Sequence, residues 1–368
     1  MFLPSLHGLR GIAALAVLVF HWQQFFPAGA LWLKAHTVSD TILDPSIYMG
    51  FGWLGVPLFF VLSGYLLGAQ VIHAKIGTSF LRRFWARRLL RIYPAVWAEL
   101  LLLLLIASWL PGFISKAGME TLPLQFLLWV NLPPAMATPI NLVWWTLPVE
   151  LGFYLILPVL GYLARPLGGW TMLGLGLLIT MGWRGWIFTT ADIDNYLKVL
   201  PVLDSLPGVF FTFMLGFCMN YLPVDIKPRR CRAALIAAVI ALLVLMQWQL
   251  GLNDVYWRGH WILLVWPPLV AICIATLVYC LARPMPGTRW LVNPVLIWLG
   301  HVSFGIYLWQ FQVFRILWML LPDAWNTPLS SLLGLLLTVA LTLVMAALSY
   351  YMVERPCMNW GARRFSRS

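Results

Sequence analysis

The sequence predicts an all-α, polytopic integral membrane protein, and three observations carry that prediction. Of 368 residues, 62% are hydrophobic and 10% charged, too little polar surface to clothe a water-soluble globule. Apolar runs such as LLLLLLIASWL from Leu100 and LIAAVIALLVLMQWQL from Leu235 recur along nearly the whole chain. The spans that contain them are close to the ~20 residues a helix needs to cross a ~30 Å hydrocarbon core. None shows the strict alternation that a membrane β-strand requires.

Taken in order, the runs place ten transmembrane helices at 7–27, 51–71, 92–111, 141–163, 169–188, 206–222, 233–252, 261–282, 294–318 and 329–352. The first reads as a permanent span. No small-residue cleavage site follows it, and Phe25-Phe26-Pro27 stands where a signal peptidase would cut. A cytoplasmic N-terminus puts HAKIGTSFLRRFWARRLLR, Arg165, DIKPRRCR, RPMPGTR and RRFSRS on the cytoplasmic side, as the positive-inside rule asks. Asp40, Asp44, Asp192, Asp194, Asp204 and Asp323 then fall in external loops, and both termini are cytoplasmic. Residues 112–140 are too broken by Pro133, Pro134 and Pro139 to span; they read as an external re-entrant or interfacial segment. No linker or internal repeat is visible, so one membrane domain, 1–368, is expected, with no appended soluble domain.

The formal net charge of +12 sits between hydrophobic runs. It therefore reads as topology rather than as a nucleic-acid surface. Cys218, Cys231, Cys273, Cys280 and Cys357 show no CxxC spacing, which argues against a disulfide framework or a metal site.

An ionisable side chain near the bilayer centre costs about 2.5–3.5 kcal/mol on insertion scales. The polar residues that enter the spans are therefore the functional candidates. Arg10 and His21 are eleven positions apart in HGLRGIAALAVLVFH, about 20° beyond three full turns, so they share one helix face about 16 Å apart. Arg10 alone reads equally well as a snorkelling anchor, and His21 as an interfacial histidine beside Trp22. Glu150 lies inside NLVWWTLPVELGFYLILP with no basic residue near it in sequence. It must either stay protonated, bonded to a carbonyl freed by Pro148 or Pro158, or pair with another helix; His21 is the natural partner. FLRRFWARRLLRIYP supplies Arg82, Arg83, Arg87, Arg88 and Arg91, with Arg87, Arg88 and Arg91 on roughly one helix face. Such a cluster either sets topology or binds phosphate through its guanidinium forks. His301 and Glu354 lie near cytoplasmic span ends.

Six blocks in fixed order then match a known pattern: LHGLRGIAALAVLVFH, GWLGVPLFFVLSGYLL, RRLLRIYP, WTLPVELGFYLILP, HVSFGIYLWQ and YYMVERP. Together they resemble the acyltransferase 3 family of bacterial membrane-bound O-acyltransferases over nearly the whole chain. The resemblance implies a multi-pass enzyme of the bacterial cytoplasmic (inner) membrane. It would move an acyl group, usually acetyl, from cytoplasmic acyl-CoA to a hydroxyl of a glycan or lipid-linked saccharide.

By position match, Arg10 and His21 take the family's Arg/His pair, with His21 catalytic as general base or acyl carrier. Arg83, Arg87, Arg88 and Arg91 become the acyl-CoA site, and Glu150 the central acid. No permanently bound cofactor or metal is implied, and a separate periplasmic partner would fill the place of the esterase-like domain that many members append. Two departures stand out: Pro57 replaces an acidic residue of the second block, and Gln310 replaces the histidine that usually ends YLWH. A proton-coupled transporter or lipid-linked glycan flippase, with His21 and Glu150 as relay groups, is the rival reading. A non-enzymatic scaffold of a polysaccharide assembly complex is the second.

Overall fold

A computed structural model describes residues 3–191, 196–223, 225–256, 260–283 and 287–365. Asp192 and Asp194 of the expected external loops lie outside them, as do residues 284–286 of RPMPGTR and 366–368 of RRFSRS. No strand occurs among the described residues. A helix is the form in which an apolar segment satisfies its own backbone without water or a neighbouring strand.

Ten helices position the site and are numbered here: α1 (Pro4–Phe25), α2 (Gly55–Val71), α3 (Thr78–Trp109), α4 (Thr146–Thr190), α5 (Leu206–Cys218), α6 (Pro228–Gly251), α7 (Ile262–Leu281), α8 (Pro294–Leu320), α9 (Pro328–Ser349) and α10 (Arg355–Arg364). Seven segments are long and apolar enough to cross a membrane: Pro4–Phe25, Pro45–Val71, Thr78–Trp109, Leu142–Thr190, Pro228–Gly251, Ile262–Leu281 and Pro328–Arg364. The expected spans at 206–222 and 294–318 are helical too. However, α5 has only 13 residues, and α8 is diluted by His301, Gln310, Gln312 and Arg315. Where two spans were expected between 141 and 188, α4 is broken at Gly168, whose φ of 74° a side chain would resist.

The chain divides into two compact units, Met1–Phe20 with Ala30–Ala74 and Val159–Gly300, and His21–Gly29 with Lys75–Pro158 and His301–Ser368. In the first unit α2 and α5 approach until glycine is the only fit. A Cβ on Gly64 would lie 2.0 Å from the Phe213 carbonyl oxygen, and one on Gly216 would lie 2.0 Å from that of Val61. Close backbone contact through small residues is the usual source of helix association in lipid. The motif glycines serve the same end, because a Cβ on Gly8 would meet the Leu291 oxygen at 2.1 Å and one on Gly300 that of His7 at 2.0 Å.

Gly64→Val is therefore expected to destabilise the protein by about 2–3 kcal/mol. Gly182→Ala, with open space at its Cβ, should not lower stability. Thermal unfolding of both variants in detergent, followed by circular dichroism, measures the difference.

The same unit buries a cation that the sequence reading passed over. Arg184 is fully buried, 2.8 Å from Asp204, and also donates to the Leu263 carbonyl at 3.0 Å and to that of Gly208 at 3.2 Å. Fixed carboxylate and carbonyl partners are what make such a guanidinium tolerable away from water.

In the second unit residues 112–140 fold as short helices, Lys116–Glu120 and Leu122–Phe126, joined by loop. That agrees with the expectation that this stretch does not span. Buried Gln125 holds it together: its Nε2 donates to the Thr138 carbonyl at 3.0 Å, and its Oε1 accepts from Ile140 N–H at 3.0 Å. Trp97 and Tyr93 of α3 donate to the carbonyls of Phe126 and Leu127, each at 2.9 Å. Irregular backbone beside apolar helices is sustained when side chains satisfy its polar groups in this way.

Candidate active site

α1 is helical without interruption from Pro4 to Phe25, so the shared face inferred for Arg10 and His21 exists. Arg10 is half-buried and belongs to the first unit, while His21, also half-buried, begins the second. Trp22 and Phe26 fasten this end of α1 to α9: Trp22 Nε1 donates to the Ser331 carbonyl at 2.8 Å, and Ser331 Oγ donates to that of Phe26 at 2.6 Å. Trp22 is thus a buried anchor, 3% exposed, and not a surface on which sugars could stack.

The partner at His21 Nδ1 is one the sequence reading did not choose. Gln310 Oε1 lies 3.0 Å away, and Gln310 is fully buried. An amide oxygen facing Nδ1 favours the tautomer that carries the ring proton on that nitrogen. The departure from the family's YLWH pattern therefore falls on the residue that faces the histidine. Gln310 Nε2 is buried and has no hydrogen-bond partner among the described residues.

Glu150, expected on His21, accepts the hydroxyl of Tyr154 one turn along α4. It lies within electrostatic range of Arg88 of the arginine block and of Tyr307 on α8. Tyr307 donates to the Val143 carbonyl at 2.8 Å and lies 3.0 Å from Thr146 Oγ1. It precedes Gln310 by three residues, about one turn of helix. Glu150 thus takes its place among the groups that lead toward the arginines.

The arginine block divides by exposure. Arg82 and Arg87 are exposed, whereas Arg83, Arg88 and Arg91 are half-buried, so the single face expected for Arg87, Arg88 and Arg91 is split. Arg88 lies over the Phe84 ring at 5.3 Å, and Arg82 over Phe365 at 5.6 Å. Trp85 Nε1 donates to the Tyr154 carbonyl at 3.1 Å, tying the block to the Glu150 segment. The π-helical turn Tyr350–Glu354 joins the same neighbourhood, with Tyr350 within electrostatic range of Arg91 and Arg355. Glu354 is buried and accepts from Ser349 Oγ at 3.0 Å; the His301 ring lies 6.1 Å from that of Tyr350. Three blocks far apart in sequence, around Arg88, Glu150 and Tyr350, thus meet.

Glu99 is the acidic residue that the sequence reading missed, hidden at the head of a leucine run. It is fully buried, with Asn141 Nδ2 at 2.6 Å on one carboxylate oxygen and Trp144 Nε1 at 2.8 Å on the other. Asn141 also donates to the Leu308 carbonyl at 2.9 Å. Both oxygens are occupied by fixed donors, which marks a structural tie among α3, the start of α4 and α8. Glu99→Ala strands two buried donors and is expected to cost about 3 kcal/mol. A thermal melt in detergent, followed by circular dichroism, measures the loss.

Comparison with known proteins agrees with these blocks. The chain is 26% identical to the peptidoglycan O-acetyltransferase OatA of Listeria monocytogenes, covering 98% of this chain and 56% of that one. It is 25% identical to a putative O-acetyltransferase of Staphylococcus aureus, covering 98% and 58%. It is 24% identical to a putative peptidoglycan O-acetyltransferase of Bacillus subtilis, covering 100% and 56%. The chain thus spans just over half the length of these relatives. No solved structure matches. The acyltransferase 3 family model, described as an acyltransferase domain, matches residues 3–347, and the chain belongs to that family.

Proposed function

We propose that the protein is a membrane O-acyltransferase that moves an acetyl group from cytoplasmic acetyl-CoA to a hydroxyl of a cell-envelope glycan. The observation that carries this reading is the His21–Gln310 pair, a buried amide whose oxygen lies 3.0 Å from the imidazole Nδ1. Three O-acetyltransferase relatives aligned over nearly all of the chain support it. The proposed topology has ten crossings in the cytoplasmic membrane, with both termini and the arginine block cytoplasmic.

In this mechanism the CoA phosphates bind Arg83, Arg88 and Arg91, and Arg87 adds surface charge. Arg10, by its place in the family's Arg/His pair, is a further cation for the donor. Glu150, through Tyr154, holds the inner arginines in place. His21 Nε2 takes the proton of the acceptor hydroxyl as its oxygen attacks the thioester carbonyl carbon. The C–S bond then breaks, and the CoA thiolate leaves and takes up the proton from His21. In a relay version, His21 Nε2 itself takes the acetyl group and passes it to the acceptor.

The test uses the purified full chain with labelled acetyl-CoA and envelope glycan. Label should appear in the glycan with CoA released, with or without a proton gradient. Gradient-dependent movement of lipid-linked glycan without CoA release would overturn the reading in favour of a transporter.

A further inference from the structure

The second unit contains a cavity of about 350 Å³ beside His21, at the small end of ligand-sized clefts. Its apolar walls are Phe25, Phe311 and Trp318, its hydroxyls are Ser115 and Thr138, and its cation is Arg315. Phe311 lines the cavity and has its ring edge-on to His21 at 5.2 Å and to Phe25 at 5.1 Å. It therefore borders both the cavity and the imidazole.

The cavity and the histidine's partner belong to one stripe. Tyr307, Gln310, Phe311, Arg315 and Trp318 fall at i, i+3, i+4, i+8 and i+11 of α8, which is a single helix face. Arg315 donates to the Phe113 carbonyl and lies over the Phe113 ring at 4.7 Å. None of the ion pairs among the described residues includes it. A half-buried guanidinium held by a carbonyl and a ring retains donors and an uncompensated charge, and both favour an anion. Aromatic walls suit the apolar C–H faces of a sugar, and the hydroxyls suit its O–H groups.

We propose that this cavity is the acceptor site and that it holds a saccharide unit bearing an anionic group next to the ring, with Arg315 as the residue that selects it. The proposal rests on the transferase reading. The anionic group is a carboxylate or a phosphate, and both bind a guanidinium fork.

The experiment measures CoA release from acetyl-CoA by the full chain in nanodiscs, with cellotriose, cellotriouronic acid and cellotriose phosphate as acceptors. At least one acidic acceptor should show a KM about tenfold below that of cellotriose, the value of one charge-assisted hydrogen bond. The carboxylate and phosphate arms identify the group that is read. Arg315→Gln should erase the difference by raising KM for the acidic acceptor alone, while Arg315→Lys should retain most of it. Transfer to cellotriose reports that each variant is folded. Equal KM values for all three acceptors in the wild type, or an equal rise for neutral and acidic acceptors in Arg315→Gln, would overturn the acceptor assignment and leave the transferase reading standing. Absence of His21-dependent CoA release with any acceptor would overturn both.

Discussion

His21→Ala is expected to lower acetyl transfer by about a thousandfold, the middle of the range for removing a general base. The same loss follows if His21 carries the acetyl group, because either route needs the Nε2 lone pair. Structural cost is small by comparison. The substitution leaves Gln310 Oε1 buried without its imidazole partner, worth about 1–3 kcal/mol, while Trp22 and Phe26 still hold this end of α1 to Ser331. Folded protein that binds acetyl-CoA but transfers nothing is therefore the expected phenotype, read by equilibrium binding and turnover on one preparation. Trapping with labelled acetyl-CoA and no acceptor separates the two routes, since only the relay leaves label on the wild-type protein. Wild-type turnover in His21→Ala would remove both.

Gln310→Ala is expected to lower kcat by about 10- to 100-fold, with KM for acetyl-CoA unchanged. Without an acceptor at Nδ1 the imidazole loses both its tautomer and its orientation, and partners of this kind are worth that much in related arrangements. The loss is smaller than at His21 because the base itself remains. Gln310→Glu keeps an oxygen facing Nδ1 and is expected to fall within about tenfold of wild type. A purely structural role for Gln310 would instead lower stability in both variants and leave kcat of the folded fraction intact. Steady-state kinetics with a parallel unfolding curve distinguish the cases.

Much of this arrangement is visible in the sequence because it depends on local period and length. Every expected apolar run is helical in the structure, and the shared face of Arg10 and His21 needed only helical geometry and an uninterrupted α1. The break in α4 falls between the expected spans 141–163 and 169–188, where Gly168 takes its positive φ. The non-spanning nature of 112–140 followed from its prolines. Partner choice was less accessible, because it depends on which helices pack together. Gln310 is 289 residues from His21, and no periodicity joins them; the only signal was the departure of YLWQ from the YLWH pattern that the resemblance implies.

The expected pairing of Glu150 with His21 rests on Glu150 being a carboxylate within a span. Glu99 and Arg184 also lie within expected spans. Glu99 was read as the edge of a leucine run, and Arg184 went unremarked in MGWRGW. Counting every charged residue inside the predicted boundaries would have found both. Only the folded chain reveals that both Glu99 oxygens, and Nε and Nη1 of Arg184, are met by fixed partners. Around the arginine block, Phe84 meets Arg88 from one turn away on α3, whereas Tyr350 comes within range of Arg91 from an element far away in sequence, a contact that no local pattern shows.

The central claim is that acetyl groups given up by a cytoplasmic donor reach an acceptor on the other side through His21. Sealed inside-out membrane vesicles test it most directly, with labelled acetyl-CoA, which does not cross the bilayer, supplied outside. Label should accumulate on glycan enclosed in vesicles that carry the wild-type protein, and not in those that carry His21→Ala. Label that reaches enclosed glycan only after the vesicles are permeabilised would contradict the account.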